Sequence, residues 1–442
     1  MTDSKEAGPP AVALAEAPRR DHPKTILAWC LYDWANSAFT TLVVTFIYST
    51  YFTKAIAPNE VLGTAWWSRA VSLTAVCVVL LSPILGALAD QGGLRRRMLF
   101  LTTALCIVPT AALTFVAPSQ ANAPLIALAL FVVANVGFEL CNVFYNAYLP
   151  DIVSPERIGR VSGYGWGLGY VGGLAALIIA LLVFVRPETP LFGLSTVAGF
   201  NIRATNLLVA GWFAVFSVPL FLVAGGERSG PVKLDIRGTF QELWRTFHAV
   251  RRFTDAVRLL LARLFFNDGL STVFAFGGIY AAGTFGMSFA DILVFGIVLN
   301  TTAGLGAFLF GFVDDKIGGK KTILISLVAL VVATSIAVVA PNRTWLWVAG
   351  ITIGIFAGPN QAASRSLMGR FTPDKREAEF FGFFAFSGKL ASFFGPLLLG
   401  AATQAFGSQR YGVATVIGFL VLGALILLSV NEPRGMAAAR EG

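Results

Sequence analysis

Twelve long runs of apolar residues, each with few or no charges, constrain this 442-residue chain more than any other feature. About 20 residues at a rise of about 1.5 Å form a helix that crosses a hydrocarbon layer of about 30 Å. A turn at 117-124, rich in small residues and Pro, divides the third run from the fourth. We therefore predict an all-α membrane protein with transmembrane helices at 25-53, 66-89, 98-116, 125-149, 161-185, 204-226, 264-285, 290-313, 322-342, 344-368, 380-402 and 411-431.

Charged residues are too few to cover a water-soluble surface. Asp, Glu, Lys and Arg make up 13% of the chain, against about 25% in soluble proteins. This excludes an ordinary soluble enzyme. The two His are far apart, and the four Cys lie in apolar runs without metal-ligand spacing, so we predict no disulfide framework, metal site or cofactor: Cys30, Cys77, Cys106, Cys141, His22 and His248.

Lys and Arg residues are distributed unevenly between the two ends of the predicted helices. With the N-terminus inside the cell, 24 of the 33 fall on the inner side, six on the outer side and three within spans. Because cytoplasmic loops carry an excess of Lys and Arg, we predict an inner-membrane protein with both termini in the cytoplasm. The net charge of +9 then reflects topology and does not indicate nucleic-acid binding.

A loop motif occurs twice, after the second span and after the eighth. A second similarity links Ser154-Pro155-Glu156 to Thr372-Pro373-Asp374. We predict two six-helix halves in the same orientation, with a tail at 1-24, halves at 25-226 and 261-431, a linker at 227-260 and a tail at 432-442. The loop motif consists of Gly86, Asp90, Gly93, Arg95 and Arg96, and at a constant offset of 225 residues, of Gly311, Asp315, Gly318, Lys320 and Lys321.

This doubled loop resembles the signature loop of the major facilitator superfamily, and the helix count and central linker extend the resemblance over the whole chain. The octapeptide Tyr32 to Phe39 resembles the "unknown major facilitator" family, which includes autophagy-related vacuolar amino-acid effluxers. The resemblance implies transport of a small solute and leaves the solute open. It also implies that the loop acts as a cytoplasmic latch favouring the outward-open state.

Acids in the first and seventh spans are candidate symmetry mates. Asp33 precedes Asn36 on one helical face, and Asn267 precedes Asp268. An ionised side chain at mid-bilayer costs about 2.5 to 3.5 kcal/mol or more, so each needs a partner, a proton or a water-filled cavity. The alternatives are a helix cap near the cytoplasmic interface for Asp33 and an ion pair with Arg263 for Asp268.

The fourth span carries a polar stripe on one face: Asn135, Glu139, Asn142 and Asn146. Such a stripe cannot face lipid without unsatisfied groups. It therefore faces a central cavity, where Glu139 would bind and release a proton, or it joins neighbouring helices.

Opposing cations lie in the second half. Lys389 is too deep to reach the interface, so we expect it to pair with an acid or with a solute carboxylate, whereas Arg365 is expected to extend to the cytoplasmic surface. Asn360 and Gln361 follow Pro359 in the tenth span and could bind a solute or the interrupted backbone.

The repeated loop also predicts a gate. Gly86 and Gly311 permit close helix approach, and Asp90 and Asp315 can reach the N-terminus of a neighbouring helix or an Arg of the other half. A purely topological role is the alternative for Arg95 to Arg97.

Together these features predict a secondary transporter, monomeric and coupled to protons through Glu139 and Asp33, whose small solute could be an amino acid. The chain lacks a Walker motif and a clustered nucleophile and base within its spans, so ATP-driven transport and an enzyme are not indicated. The alternative is a membrane sensor or assembly protein that keeps the transporter fold without transporting.

Overall fold

A computed structural model describes residues 20–185, 193–223, 253–390, 392 and 394–441, and the regular structure within these ranges is helical. The helices that follow the predicted spans are α1 (Pro23–Ala38), α2 (Glu60–Gly92), α3 (Arg95–Leu113), α4 (Ala123–Ala147), α5 (Ile158–Ile179), α6 (Phe200–Val223), α7 (Thr254–Phe285), α8 (Phe289–Ile317), α9 (Gly319–Val339), α10 (Arg343–Arg370), α11 in the pieces Glu377–Leu390 and Phe394–Phe406, and α12 (Gln409–Leu428). A further helix, α13, covers Glu432–Glu441.

Ten helical segments in the described ranges are long and apolar enough to cross a membrane. The other two predicted spans are α1 and α10. α1 has only 16 α-helical residues and continues through π-helical turns at Phe39–Phe46 and Phe52–Ile56 that flank a short helix at Tyr48–Tyr51. α10 has a lower apolar content because it carries Asn360, Gln361 and Arg365.

The twelve spans form two six-helix bundles, as predicted. In the first, α1 packs on α5 and α6, and α4 packs on α2 and α3; in the second, α7 packs on α12, and α10 packs on α8 and α9. The bundles meet where α2 packs on α11 and where α5 packs on α8 and α10. Large buried aromatic side chains occur in both halves, among them Trp29, Tyr145, Phe213, Phe266 and Phe381.

Both described chain ends and both repeated loops lie on the same side of the molecule, called here the terminal side. Asp21 N donates to Ile152 O at 2.8 Å, and Glu432 of α13 lies 3.6 Å from Arg370 at the end of α10. In the described part of the chain, the hydrogen bonds and ion pairs between the halves extend from this side only to the level of Glu139 and Lys389. The conformation is therefore closed on the terminal side.

Two predicted segments differ from the structure. The stretch 432-442 is not simply a tail, because Glu432–Glu441 forms a helix in which Arg434 donates to both carboxylate oxygens of Asp255, at 2.6 and 2.8 Å. The predicted linker 227-260 lies mostly outside the described residues, and its last residues belong to α7, which begins at Thr254.

Candidate functional site

An ion pair between the two halves lies deep within the bundle. Lys389 Nζ of α11 is 2.7 Å from Glu139 Oε1 of α4, and the two side chains are 33% and 19% exposed. Lys389 is twelve residues into α11 from Glu377, a depth of about 18 Å from the terminal side at 1.5 Å per residue. The acid that the depth of Lys389 required is therefore Glu139, and both side chains of the pair are partly exposed.

The predicted amides around this pair have different surroundings. Asn36 Nδ2 donates to Asn142 Oδ1 at 3.2 Å within the first half, and Gln361 Nε2 donates to Asn267 Oδ1 at 2.9 Å within the second. The first hydrogen bond joins α1 to α4, and the second joins α10 to α7. Asn135 is 5% exposed, and none of the described hydrogen bonds involves its side chain.

Asn360 is separated from this group. It is fully buried, and its Nδ2 donates to Ser326 Oγ of α9 at 3.0 Å. Its contact therefore holds α10 to α9 inside the second half, and in the described structure its side-chain amide does not bond the backbone that Pro359 interrupts.

The expectation that Arg365 extends to the cytoplasmic surface is wrong. Arg365 is 3% exposed, and its Nη1 donates to Asp33 Oδ2 at 2.9 Å and to Asn146 Oδ1 at 3.2 Å. Its Nε and Nη2 donate to Ser162 Oγ and Ser162 O at 2.9 and 2.7 Å. These four hydrogen bonds, one of them to a counter-ion, replace the hydration that the guanidinium loses on burial. The polar face of α1 thus binds the opposite half through Asp33.

Asp268 does not have the role of a symmetry mate of Asp33. Its Oδ2 accepts from Gly395 N at 2.8 Å, at the start of the second piece of α11, and its Oδ1 has no hydrogen-bond partner in the described structure. The alternative pairing with Arg263 is not observed either. Arg263 instead donates to Phe384 O and Ser387 Oγ and stacks on the Phe384 ring at 3.6 Å.

The first repeated loop contacts the start of α11 in the other half. Asp90 accepts from the backbone N–H groups of Ala378 and Glu379 at 3.1 and 2.8 Å, in the first turn of α11. Arg95 lies beside it, 3.1 Å from Asp90 and 2.5 Å from Glu377, and also pairs with Asp151. A carboxylate at a helix N-terminus is favoured by the unsatisfied N–H groups and the helix dipole.

The second repeated loop makes the equivalent contact with α5. Asp315 accepts from the backbone N–H groups of Gly159 and Arg160 at 2.9 and 3.3 Å, and from Arg160 Nε at 2.5 Å. Next to it, Arg370 is 2.6 Å from Asp314 and donates to Pro155 O of the first half at 3.3 Å. Both loops thus bind the N-terminus of a helix in the opposite half.

The glycines of the two loops have two uses. Gly93 and Gly318 end α2 and α8 at φ of 62° and 92°, a region that favours glycine. Gly86 and Gly311 allow close approach, because a Cβ at Gly86 would lie 2.8 Å from the carbonyl carbon of Ala378, and one at Gly311 would lie 2.8 Å from Arg160 Cα.

The basic residues Arg96 and Lys320, predicted as gating residues, contact their own halves. Arg96 Nη2 donates to Phe221 O at the end of α6, at 2.7 Å. Lys320 Nζ donates to Leu428 O and Val430 O at the end of α12, at 2.8 and 2.6 Å. Cations at helix C-termini offset the partial negative charge of the last carbonyls, so both residues fasten the loop to its bundle.

Several contact residues of the terminal side and of Arg365 were missed by sequence reasoning. The Ser-Pro-Glu and Thr-Pro-Asp segments marked the two loops that precede α5 and α11, where some of them lie, but no spacing singled out the side chains themselves: Asp151, Arg160, Ser162, Asp314, Arg370 and Glu377. Within the described ranges, no three His, Cys, Asp or Glu side chains are grouped so that they could hold a metal ion.

Comparison with known protein families and sequences gives a consistent result. A family model described as "Vacuole effluxer Atg22 like" matches residues 55–440. The "Uncharacterized MFS-type transporter YxiO" of Bacillus subtilis is 28% identical over 411 residues, which cover 92% of this chain and 94% of the relative. Autophagy-related protein 22-1 of Penicillium rubens is 26% identical over 310 residues, 63% of this chain, and the match covers 50% of that longer protein.

Solved structures agree on the fold. The proton:xylose symporter XylE has a TM-score of 0.71 at 14% identity, covering 93% of this chain and 96% of XylE. The transporter FucP, solved in the outward conformation, has a TM-score of 0.67 at 11% identity, covering 93% and 99% of the two chains.

The extent of the family match, the relative in Bacillus subtilis and the shared twelve-helix fold lead to one conclusion. This chain is an integral membrane transporter of the major facilitator superfamily and belongs to its Atg22-like family.

Proposed function

We propose that this protein is a proton-coupled secondary transporter that moves a small zwitterionic solute, such as an amino acid, out of the compartment on its terminal side. The observation that carries the proposal is the Glu139–Lys389 pair, which joins the two halves while both side chains stay partly exposed. A pair in this position opposes separation of the halves as long as it stays intact. Anything that neutralises Glu139 or competes for Lys389 therefore favours movement.

Two ligands can break this pair, and together they define the coupling. A proton on Glu139 removes its charge, and a solute carboxylate can replace Glu139 on Lys389. The ammonium group of a zwitterion then needs an acidic partner of its own. The amides of Asn36, Asn135, Asn142, Asn267 and Gln361 supply hydrogen bonds around the solute in this proposal.

The contacts of Asp90, Arg95 and Asp315 form the gate on the terminal side in this proposal. Asp90 and Asp315 bind helix N-termini across the interface, and Arg95 pairs with Glu377 of the other half. In this proposal, rupture of these contacts opens the terminal side while the opposite side closes. From the Lys and Arg distribution we assign the terminal side to the cytoplasm and the protein to the cell membrane. One chain contains both halves, so the proposed transporting unit is a monomer.

The test is flux in proteoliposomes with an imposed pH gradient. Solutes are first selected by thermal shift of the purified protein with amino acids, sugars, nucleosides and organic acids. With a stabilising solute, we expect the pH gradient to raise the initial rate, and Glu139→Gln to abolish this stimulation while exchange of labelled for unlabelled solute continues. Glu60→Gln, an exposed acid at the start of α2, is the matched control.

Two results would contradict the proposal. If transport is unchanged when the pH gradient is collapsed, transport is not coupled to protons. If the pH gradient stimulates Glu139→Gln as strongly as the wild type, Glu139 is not the coupling residue. If only sugars stabilise the protein, the solute is not a zwitterion, although the protein is still a transporter.

A further inference from the structure

The guanidinium of Arg365 belongs to the second half, yet every described contact that it makes is with the first half. Its hydrogen-bond partners are Asp33 on α1, Asn146 on α4 and Ser162 on α5. Three aromatic rings of the same helices surround it, with centroids 4.7 Å away for Trp29, 5.8 Å for Tyr145 and 5.6 Å for Trp166. The group of Asp33, Trp29, Tyr145 and Trp166 is called here the cation cage.

The cation cage is held together by its own half. Trp29 stacks on Tyr145 with centroids 4.6 Å apart, and Trp29 Nε1 donates to Tyr145 O at 3.0 Å. Trp29 and Tyr145 are both 0% exposed. Arg365 takes part in none of these contacts, so they do not depend on its presence. The first half therefore holds the cage pre-organised for a cation that comes from outside this half.

The cage packs tightly around Arg365 and still contains polar atoms without a partner. Gly165 lines the cage, and a Cβ there would lie 2.6 Å from Asp33 Oδ2, 2.7 Å from Trp29 Cζ3 and 2.8 Å from Arg365 Nη2. Tyr145 Oη and Trp166 Nε1 are buried without a hydrogen-bond partner in the described structure, although buried polar atoms usually have one. Arg365 therefore does not satisfy every polar atom of the cage.

Arg365 lies near the end of α10 that reaches the terminal side. It lies five residues before Arg370, the last residue of α10, and Arg370 itself contacts Pro155 of the first half. If the halves separate on this side, α10 carries Arg365 away, and Asp33 remains in an aromatic pocket without a counter-ion. A buried carboxylate in that state requires another cation or a proton.

We propose that the cation cage is a binding site for an organic cation, the ammonium or guanidinium group of the transported solute, which Arg365 occupies while the terminal side is closed. The proposal rests on the proposed function, because it takes the organic cation to be part of the transported solute. In the open state the cationic group of the solute pairs with Asp33 and stacks on Trp29. Return of Arg365 then displaces the solute, so that the protein's own side chain competes for the site and promotes release.

The test empties the cage and supplies a free cation. Ethylguanidinium, which matches the end of an Arg side chain, is added to purified Arg365→Ala, with ethylurea as the neutral probe and NaCl to equalise ionic strength. We expect ethylguanidinium at saturation to raise the melting temperature of Arg365→Ala by about 2 °C or more. We expect no comparable rise with ethylurea or in the wild type, whose own Arg365 occupies the cage.

The double variant Asp33→Asn with Arg365→Ala should lose the rise. If Arg365→Ala does not elute as a folded protein, purification in ethylguanidinium should restore its elution profile. The proposal is overturned if ethylguanidinium neither stabilises nor restores Arg365→Ala, if ethylurea acts equally, or if lowering the pH stabilises Arg365→Ala and ethylguanidinium does not, since Asp33 is then a proton site.

A second arm connects the cage with the solute. Among solutes that stabilise the wild type, those with an ammonium or guanidinium group should bind at least about tenfold more weakly to Asp33→Asn, while Glu60→Gln binds them normally. Equal binding to Asp33→Asn would overturn the proposal. Both arms measure binding, so they distinguish failure of the cage from failure of proton-coupled flux.

Discussion

The two halves use equivalent residues in the same way on the terminal side and in different ways at the level of the site. Asp90 and Asp315 stand at the same place in the repeat, and each accepts two backbone N–H groups from a helix of the opposite half. Asp33 and Asp268 lie in the first span of each half, but Asp33 binds Arg365 across the interface whereas Asp268 contacts Gly395 of its own half.

This difference follows from what each level has to do. In the proposed mechanism, rocking of two similar bundles about a common axis brings equivalent helix ends together, so the same carboxylate serves in both loops. A small solute has no such symmetry, and the groups that bind it need not be paired between the halves. The comparison predicts that substitutions in the two loops act alike and that those of the two spanning acids do not.

The largest effect is expected for Asp33→Asn. It leaves the guanidinium of Arg365 buried without its counter-ion, and breaking a buried pair destabilises a protein by about 3–5 kcal/mol. The measurement is thermal unfolding in detergent, in a cycle with Arg365→Gln and the double variant. The double variant should be more stable than the sum of the single effects, and simple additivity would mean that the two groups do not interact.

A smaller and symmetrical effect is expected for Asp90→Asn and Asp315→Asn. Each loses charged hydrogen bonds worth about 1.5–3 kcal/mol to a helix N-terminus of the opposite half. Hydrogen exchange should become faster at Ala378 and Glu379 in the first variant and at Gly159 and Arg160 in the second. A change in only one of the two would contradict the equivalence of the loops.

A loss of about 1 kcal/mol is expected for Glu432→Ala. Glu432 accepts from Gly319 N and Lys320 N, both at 3.0 Å, and so caps α9, whereas α3 in the first half begins at a Leu94 N-cap without a side-chain cap. Thermal unfolding checks the prediction, with Arg440→Ala on an exposed position of α13 as control. An unchanged midpoint would mean that α13 does not stabilise the second loop.

The smallest effect is expected for Asp268→Asn. The Asn side-chain oxygen can still accept from Gly395 N, and the neutral amide avoids the desolvation cost of a buried carboxylate. Thermal unfolding should therefore change by less than about 0.5 kcal/mol or show a gain in stability. A loss as large as that of Asp33→Asn would show that Asp268 holds a cation in the folded protein.

Length and local composition were sufficient for much of the fold. Each apolar run is a property of consecutive residues, so the spans could be located without knowing what they contact. The offset of the loop motif revealed the two halves, and the depth of Lys389 required a partner. The helical bounds differ most at α1, which continues through π-helical turns, and at α13, which is held by Asp255 and by the start of α9.

The pairing of the charges was decided by the tertiary structure alone. Sequence distance suggested Arg263 for Asp268 and the membrane surface for Arg365, yet Arg365 binds Asp33 from 332 residues away. Such a pair depends on the rotation of α1 and α10 about their axes and on the closure of the terminal side. Those are set by packing between the halves, for which a single span carries no local signal. The sequence by itself determined which residues enter the membrane, and the packing of the two bundles determined which of them meet.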